Sequence, residues 1–324
     1  MGTGRRVPTD PDPEGTEVAA DSYPTWSEVR EVGPRDGLQN EDPIPVEARI
    51  ELIDALSTTG LRAIEVGSFV RADAIPAMAG TDRVMAGITR VDGVRYRALV
   101  PNRRGAEAAI DAGVDELEVV LSVSATHNGR NLKMTVHESV AQIAGIVERA
   151  GTAGVPVEAI LATSFGCPYE GRIEPSAVLD VAQRLRERGV STFSFADTTG
   201  MATPPAVVAL LDVLDAGGWP ADSVALHLHN TRGTGLANLV VAAQRGVARY
   251  DASVGGLGGC PFAPGATGNV PTEDVVHLLD SLGMATGVDL DRLIEVALDL
   301  EQVIGRTLPG QVMRSGPWDR LPVA

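Results

Sequence analysis

The chain has 324 residues, of which 44% are hydrophobic and 22% charged, so it can build a sizeable core and global disorder is not expected. Its formal net charge of −16 repels nucleic acid and anionic membrane surfaces, which argues against both as main partners. An anionic substrate would have to bind through local positive charge or a metal ion. The two cysteines, Cys167 and Cys260, do not form a disulfide framework and favour a reducing compartment.

The first 24 residues are rich in Pro, Gly, Asp and Thr, and they lack the apolar stretch of a signal peptide. Residues 1–24 are therefore predicted to be a disordered tail. The sequence contains no run of 18 or more apolar residues, so no membrane-spanning helix is predicted.

From about residue 27, short β-rich runs alternate with longer helical runs. Most of the β-rich runs are β-branched or continuously apolar, as is typical of parallel strands that are buried on both faces. The eight candidate strands are 27–32, 62–67, 95–100, 116–122, 155–162, 191–197, 223–229 and 250–256. Helical runs lie between them and several end in glycine, such as 45–60 and 135–154. This alternation predicts an α/β fold of the (β/α)8 barrel type.

A doubly wound sheet is the alternative fold, but it would bring a dinucleotide fingerprint after the first strand. The segment GPRDGLQNE (33–41) is not such a fingerprint. Residues 25–306 are predicted to form the barrel, with an extra C-terminal helix over 286–305, and residues 307–324 an irregular tail.

Unusual polar residues fall repeatedly at the carboxyl ends of the predicted strands, where the reactive groups of such barrels lie. They are Arg35 and Asp36 after the first strand, Glu65 in the second, Asp197 after the sixth, His227 and His229 at the seventh, and Cys260 after the eighth.

His227 and His229 are separated by one residue on a predicted strand, so both imidazoles point to the same face. The alternative is a structural role, in which the two histidines only cap an element or form hydrogen bonds. Asp36, in a glycine-containing loop, is the natural third ligand, and Asn269 could add an amide oxygen. This mixed oxygen and nitrogen set favours Mg²⁺ or Mn²⁺ over a structural Zn²⁺.

The segment GGLGGCPFAPGATGN (255–269) contains six glycines and two prolines, with Cys260 in its middle. Such a loop can close over a site, although a plain linker is the alternative. The thiol favours a functional loop. Cys167, in SFGCPYEG, is interpreted as structural.

Eight segments together resemble the 3-hydroxy-3-methylglutaryl-CoA lyase family, in family order and at family-like spacing. They are EVGPRDGLQNE (31–41), IEVGSFV (64–70), IPAMAGTDRV (75–84), PNRRGAEAA (101–109), GCPYEG (166–171), DTTGMATP (197–204), HLHNTRGTGLAN (227–238) and GGLGGCPFAPGATGNVPTED (255–274). The resemblance runs from about 28 to 306. It implies a metal-dependent retro-Claisen cleavage of a 3-hydroxy-3-methylglutaryl thioester to acetyl-CoA and acetoacetate.

The resemblance also implies a role for each matched residue. The metal ligands are Asp36, His227, His229 and Asn269. Arg35 matches the arginine beside the thioester carbonyl, Cys260 the loop thiol, and Glu65 and Asp197 polar residues that line the site. The base that removes the hydroxyl proton is left open between His227 and Asp36.

The coenzyme A end of the substrate is expected near the fourth strand and its loop, although a solvated charged loop is an equal alternative. The residues concerned are Ser68, Asn102, Arg130, Asn131 and Lys133. An acyl-CoA substrate, a cytoplasmic location and a homodimer or higher homo-oligomer are expected.

Two positions depart from the family pattern: Asn230 stands where an aspartate is common, and Arg232 where an aromatic residue is expected. The segment SVSATHNGRNLK (122–133) also differs. These changes touch the substrate pocket, so a longer branched 3-hydroxyglutaryl-CoA stays open as the substrate. A condensing synthase on the same barrel is a further alternative, as is a catalytically dead scaffold, which would have lost a ligand or the arginine.

Overall fold

The computed structural model describes residues 23–258 and 268–318, and its central feature is a closed barrel of parallel strands. The barrel strands are β1 (Glu28–Glu31), β2 (Ala63–Ser68), β3 (Arg95–Leu99), β4 (Glu116–Ser122), β5 (Val157–Ala162), β8 (Thr192–Ala196), β9 (Val224–His227) and β10 (Arg249–Ala252). β1 pairs with both β2 and β10, which closes the barrel and confirms the (β/α)8 prediction. Two further short strands, β6 (Gly166–Cys167) and β7 (Gly171–Arg172), pair antiparallel outside the barrel.

The helices alternate with the strands, as the sequence pattern predicts, and the last three follow the final strand. They are α1 (Val46–Ser57), α2 (Thr81–Gly87), α3 (Arg103–Asp111), α4 (Ala125–Leu132), α5 (Val136–Ala153), α6 (Pro175–Arg186), α7 (Pro204–Ala216), α8 (Gly235–Gln244), α9 (Thr272–Ser281), α10 (Leu290–Ile304) and α11 (Val312–Ser315). Local signals fix their ends: Thr135 and Glu138 form a capping box at the start of α5, and Gly154 ends it in a left-handed conformation. Among the described residues, no helix is long and apolar enough to cross a membrane.

The chain after the barrel packs back onto it. Helix α10 lies within the range predicted for the extra helix. In the segment predicted as an irregular tail, the structure has the four-residue helix α11, with Val312 and Met313 buried. The Asp274 carboxylate accepts the backbone N–H groups of Gln311 and Val312, at 3.0 and 2.7 Å. The predicted N-terminal tail falls almost entirely outside the described residues.

The interior of the barrel carries buried charge as well as the apolar side chains that the strands predict. Arg30 of β1 lies 2.6 Å from Glu158 and 2.5 Å from Asp251. Arg97 of β3 contacts Glu158 and lies 2.6 Å from Glu118. Both arginines are at most 3% exposed. Each guanidinium is thus placed between carboxylates, which offsets the cost of removing these charges from water.

Candidate active site

The loop after β1 forms one wide helical turn, Gly33–Gly37, that carries two of the predicted site residues. The backbone N–H groups of Arg35 and Asp36 both donate to the Val32 carbonyl, at 3.1 and 2.7 Å. The turn therefore holds a guanidinium and a carboxylate side by side at the carboxyl end of the barrel.

Glu31, the last residue of β1, ties this turn to two other segments. Its carboxylate accepts the backbone N–H groups of Gly33 and Val254, at 2.7 and 2.9 Å, and the Thr272 hydroxyl at 2.6 Å. Burial raises the pKa of Glu31 to about 7, against these three hydrogen bonds. Sequence reasoning missed this residue because nothing local shows that its carboxylate joins the adjoining turn to two distant segments.

Asp36, His227 and His229 come together at the barrel mouth, with one ligand atom of each within 4.8 Å of the others. The Nε2 atoms of the two histidines are 3.0 Å apart, and His227 Nε2 lies 3.9 Å from Asp36 Oδ2. Asn269 is beside them: its side-chain nitrogen donates to Asp36 Oδ2 at 2.8 Å and to the Leu257 carbonyl at 3.2 Å. With the amide in this orientation, half a turn is needed to present its oxygen to the cluster.

These distances fit a six-coordinate divalent ion. Adjacent ligands about 2.1 Å from such an ion lie about 3.0 Å apart and opposite ones about 4.2 Å apart. The 3.0 Å separation of the two Nε2 atoms equals that of adjacent ligands, and the 3.9 Å separation lies between the adjacent and opposite values. His227 also has its other ring nitrogen 3.3 Å from Asp251, which leaves Nε2 as the atom that faces the cluster.

The electrostatics of the cluster keep Asp36 ionised and His229 neutral. Although burial opposes ionisation, Arg35 and then the two histidines lower the pKa of Asp36 to about 2. Burial and then His227 lower the pKa of His229 to about 3. Burial also acts to lower the pKa of His227, but the hydrogen bond to Asp251 and the charge of Asp36 raise it. A carboxylate and a neutral imidazole therefore converge on one point.

Arg35 links the cluster to a buried acid. Its Nη1 lies 2.7 Å from Asp36 Oδ1, and its Nε lies 2.5 Å from Glu65 Oε1. Burial raises the pKa of Glu65 well above its usual range, with Arg35 opposing and Glu118 adding to the rise. Gln39, which sequence reasoning did not single out, donates to Asp36 Oδ1 at 2.8 Å. Arg35 is thus a rigidly held cation beside the carboxylate.

Asp197 lies just after β8, on the neighbouring side of the mouth. Its Oδ1 accepts the backbone N–H groups of Met201 and Ala202, at 2.7 and 2.9 Å. Its Oδ2 is buried and has no hydrogen-bond partner among the residues that the structure describes. Burial raises the pKa of Asp197 to about 7, which these N–H groups and the charge of His227 oppose. A carboxyl group with such a pKa is suited to proton transfer near neutral pH.

The residues predicted to bind coenzyme A lie at strand ends and on the loops beside them. Ser68 is buried at the end of β2, and its hydroxyl has no partner in the described part of the chain. Asn102 caps α3. Lys133 donates to the Arg130 carbonyl at 2.8 Å, and the Arg130 guanidinium lies 4.3 Å from the centre of a tyrosine ring. Arg130, Asn131 and Lys133 are exposed to solvent.

The structure describes Cys167 but not Cys260. Cys260 lies outside the described residues, so its predicted role as the loop thiol stays a prediction. Cys167 is buried, with its sulfur 3.0 Å from the Ser124 hydroxyl and accepting the Tyr169 backbone N–H at 3.4 Å. These contacts agree with a structural interpretation of Cys167.

The fold and the site define a class: a (β/α)8-barrel enzyme with a carboxylate–imidazole cluster and a buried arginine at the carboxyl ends of its strands. The family follows from comparison with known proteins. The chain belongs to the HMGL-like family, whose model matches residues 27–300.

Its relatives are similar over nearly their full length. The chain is 44% identical to hydroxymethylglutaryl-CoA lyase YngG of Bacillus subtilis, over 89% of the chain and 97% of that protein. It is 42% identical to a Pseudomonas aeruginosa protein named 3-hydroxy-3-isohexenylglutaryl-CoA/hydroxy-methylglutaryl-CoA lyase, over 86% and 92%. A solved HMG-CoA lyase from Acinetobacter baumannii, in complex with coenzyme A and 3-methylmalate, superposes with a TM-score of 0.87 and 42% identity, over 93% and 98%.

Proposed function

We propose that the chain is a carbon–carbon lyase that cleaves 3-hydroxy-3-methylglutaryl-CoA to acetyl-CoA and acetoacetate, with Mg²⁺ or Mn²⁺ as cofactor. The observation that carries the proposal is the convergence of Asp36, His227 and His229 at the barrel mouth, beside the buried cation Arg35. Relatives at 42–44% identity that are named for this cleavage support it.

The residues that would hold the ion are Asp36, His227, His229 and, after rotation of its amide, Asn269. When bound, a divalent ion supplies a Lewis acid that lowers the pKa of the substrate hydroxyl and neutralises developing charge. Oxygen and nitrogen ligands without thiolate favour Mg²⁺ or Mn²⁺.

Cleavage of the C2–C3 bond begins when the C3 hydroxyl loses its proton, and we propose Asp197 as the base. The pKa of Asp36, about 2, makes it a weak acceptor. His227 has only Nε2 available, the same atom that faces the metal cluster, since Nδ1 is directed to Asp251. Asp197 has a pKa of about 7 and an oxygen without a hydrogen-bond partner among the described residues. His227 and Asp36, the two bases that the sequence left open, stay as alternatives to Asp197.

A kinetic test of this assignment is Asp197→Asn. The amide keeps an oxygen for the N–H groups of Met201 and Ala202 but cannot accept a proton. We expect kcat to fall by about two decades or more, the usual scale of general-base catalysis, and the remaining rate to lose its dependence on pH near 7. An unchanged pH profile would assign the proton transfer to another group.

Cleavage places negative charge on the thioester oxygen, and the enolate carbon must then be protonated. Arg35 can stabilise that oxygen because its guanidinium is permanently charged and held at the site. Cys260 is the proposed acid that protonates the carbon. In Cys260→Ser we expect slower cleavage and slower exchange of the acetyl-CoA methyl protons with solvent deuterium, because a hydroxyl is a much weaker acid.

Coenzyme A is proposed to bind across the end of β2 and the loops that follow β3 and β4, through Ser68, Asn102, Arg130, Asn131 and Lys133. The exposed pair Arg130 and Lys133 supplies positive charge in a chain of net charge −16. Reversing both charges should raise KM with little change in kcat, the mark of a group that binds substrate and transition state equally. An unchanged KM would move the coenzyme site elsewhere.

The acyl group is tested with a panel of acyl-CoA thioesters and product identification, with and without chelator. We expect acetoacetate from the 3-hydroxy-3-methylglutaryl thioester and no turnover after exhaustive chelation. Preferred cleavage of a longer branched 3-hydroxyglutaryl-CoA would support the alternative suggested by the Pseudomonas aeruginosa relative. Net condensation of acetyl-CoA with a 2-oxo acid would identify a synthase instead. A cytoplasmic location and a homo-oligomeric state remain predictions.

A further inference from the structure

The second ring nitrogen of His227 meets a carboxylate that lies outside the metal cluster. His227 Nδ1 is 3.3 Å from Asp251 Oδ2 in β10, within ion-pair distance. Its Nε2 lies on the other side of the ring, 3.0 Å from His229 Nε2. A neutral imidazole has one proton for two nitrogens, so the position of that proton decides whether Nε2 can offer a lone pair to a metal.

Asp251 is itself held in one orientation by the charged layer of the barrel interior. Arg30 donates to its Oδ1 through Nε at 2.7 Å and lies 2.5 Å away through Nη2. The Ser194 hydroxyl donates to Oδ2 at 3.0 Å. Arg30 is held in turn by Glu158 at 2.6 Å. Because Asp251 is 3% exposed, it can present Oδ2 to His227 only as a fixed, charged acceptor.

We propose that Asp251 is a positioning residue that keeps the proton of His227 on Nδ1 and leaves the Nε2 lone pair for the divalent ion. The inference rests on the proposed metal dependence, but not on the identity of the acyl group. Asp251 acts through His227 and touches neither the ion nor the substrate. The residue thereby couples the interior charged layer to the metal centre.

Asp251→Asn tests this because the substitution keeps the shape and changes the hydrogen-bond pattern. Arg30 requires an acceptor at the Oδ1 position, so the amide oxygen turns there and the amide nitrogen faces His227. His227 Nδ1 must then accept, which moves the ring proton to Nε2 and blocks ligation. We expect the dissociation constant for Mn²⁺ to rise by about 10- to 100-fold, as for other outer partners of metal-bound histidines.

The measurement is titration of the substrate-free protein with Mn²⁺, following free Mn²⁺ by its electron paramagnetic resonance signal. The matched control is Glu158→Gln, which neutralises a carboxylate of the same buried layer, on the other side of Arg30, and leaves the contact between His227 and Asp251 in place. We expect its Mn²⁺ affinity to stay within about threefold of wild type. Equal losses in both variants would mean that Asp251 is only structural, and wild-type affinity in Asp251→Asn would overturn the proposal.

A second measurement needs no variant that might fail to fold. In the metal-free wild-type protein, ¹⁵N shifts of the imidazole rings distinguish the two tautomers, and the His227 signals are assigned by their absence in His227→Gln. We expect neutral His227 to carry its proton on Nδ1; a proton on Nε2 would overturn the proposal. If wild type binds Mn²⁺ but does not cleave the thioester, the proposed function fails and this inference stands. If wild type binds no divalent ion, both fail.

Discussion

The barrel interior and the barrel mouth both bury charged side chains, but the mouth also brings two imidazoles and a carboxylate together around one point. In the interior, Arg30 and Arg97 each lie between carboxylates. At the mouth, His227 and His229 present nitrogens to one another, and Asp197 keeps an oxygen without a hydrogen-bond partner among the described residues. The interior is arranged for stability, whereas the mouth leaves lone pairs converging for something that binds there.

The two regions are joined through Asp251, and this makes the difference testable. Asp251 touches both Arg30 and His227, and Glu31 ties the turn that carries Asp36 to neighbouring segments. If the interior serves stability and the mouth serves function, substitutions at the mouth should remove activity and leave stability unchanged. Substitutions in the interior should do the reverse.

The largest expected effect is at the mouth, in His229→Ala. Removing one of few protein ligands should abolish Mn²⁺ binding and lower kcat/KM by about a thousandfold or more, a larger loss than that of an outer partner. The free energy of unfolding in the absence of metal should change by less than about 1 kcal/mol or rise. Without an ion, the cluster of Asp36, His227 and His229 contributes little to stability. His277→Ala, on the outer helix α9, is the control and should keep wild-type activity. Activity that survives in His229→Ala would remove the metal role of this residue.

The reverse effect is expected in the interior, in Glu158→Gln. This change leaves Arg30 and Arg97 short of a carboxylate in a buried place, so the free energy of unfolding should fall by about 3 kcal/mol. The fall is measured by urea unfolding, while kcat should stay within about tenfold. Glu174→Gln, at an exposed position, should leave stability unchanged. A loss of activity without a loss of stability would contradict the division.

Arg35→Lys tests whether the guanidinium group at the mouth is needed, or only its positive charge. A lysine keeps the charge, but its single ammonium group cannot contact Asp36 and Glu65 at the same time, as the planar guanidinium of arginine does. We expect kcat to fall by about a hundredfold or more, as when an oxyanion donor is removed, with a smaller change in KM. The exposed Arg71→Lys serves as the control. Wild-type turnover in Arg35→Lys would show that the arginine does not contact the developing charge.

The last expected effect depends on pH and concerns Glu273, which is buried at the start of the glycine-rich segment and accepts the Gly255 N–H at 3.0 Å. Burial raises its pKa from 4.5 to about 8, so the folded protein holds a proton that the unfolded chain has released. The stability from this proton is complete below about pH 4.5 and is lost as pH rises to about 8. Glu273→Gln should therefore gain on wild type by about 1 kcal/mol for each pH unit within this window. A difference that does not vary with pH would show that Glu273 is ionised in the folded state.

Local sequence patterns sufficed for the barrel and for the group at its mouth. Alternating strand and helix periods predict the (β/α)8 fold, and the spacing of His227 and His229 places both imidazoles on one face. Asp36 could be added because reactive groups gather at the carboxyl ends of barrel strands. These inferences depend only on neighbours within a few residues or on a general property of the fold.

Only the tertiary structure decided which charges are neutralised and which remain available. The partners of Arg30 are 128 and 221 residues away in sequence, and closure of the barrel alone brings them together. The same holds for the contact of Asp251 with His227, the raised pKa of Asp197 and the three segments joined by Glu31. Hydrogen bonds and desolvation depend on a few ångströms of separation in space, which no local pattern of residues encodes.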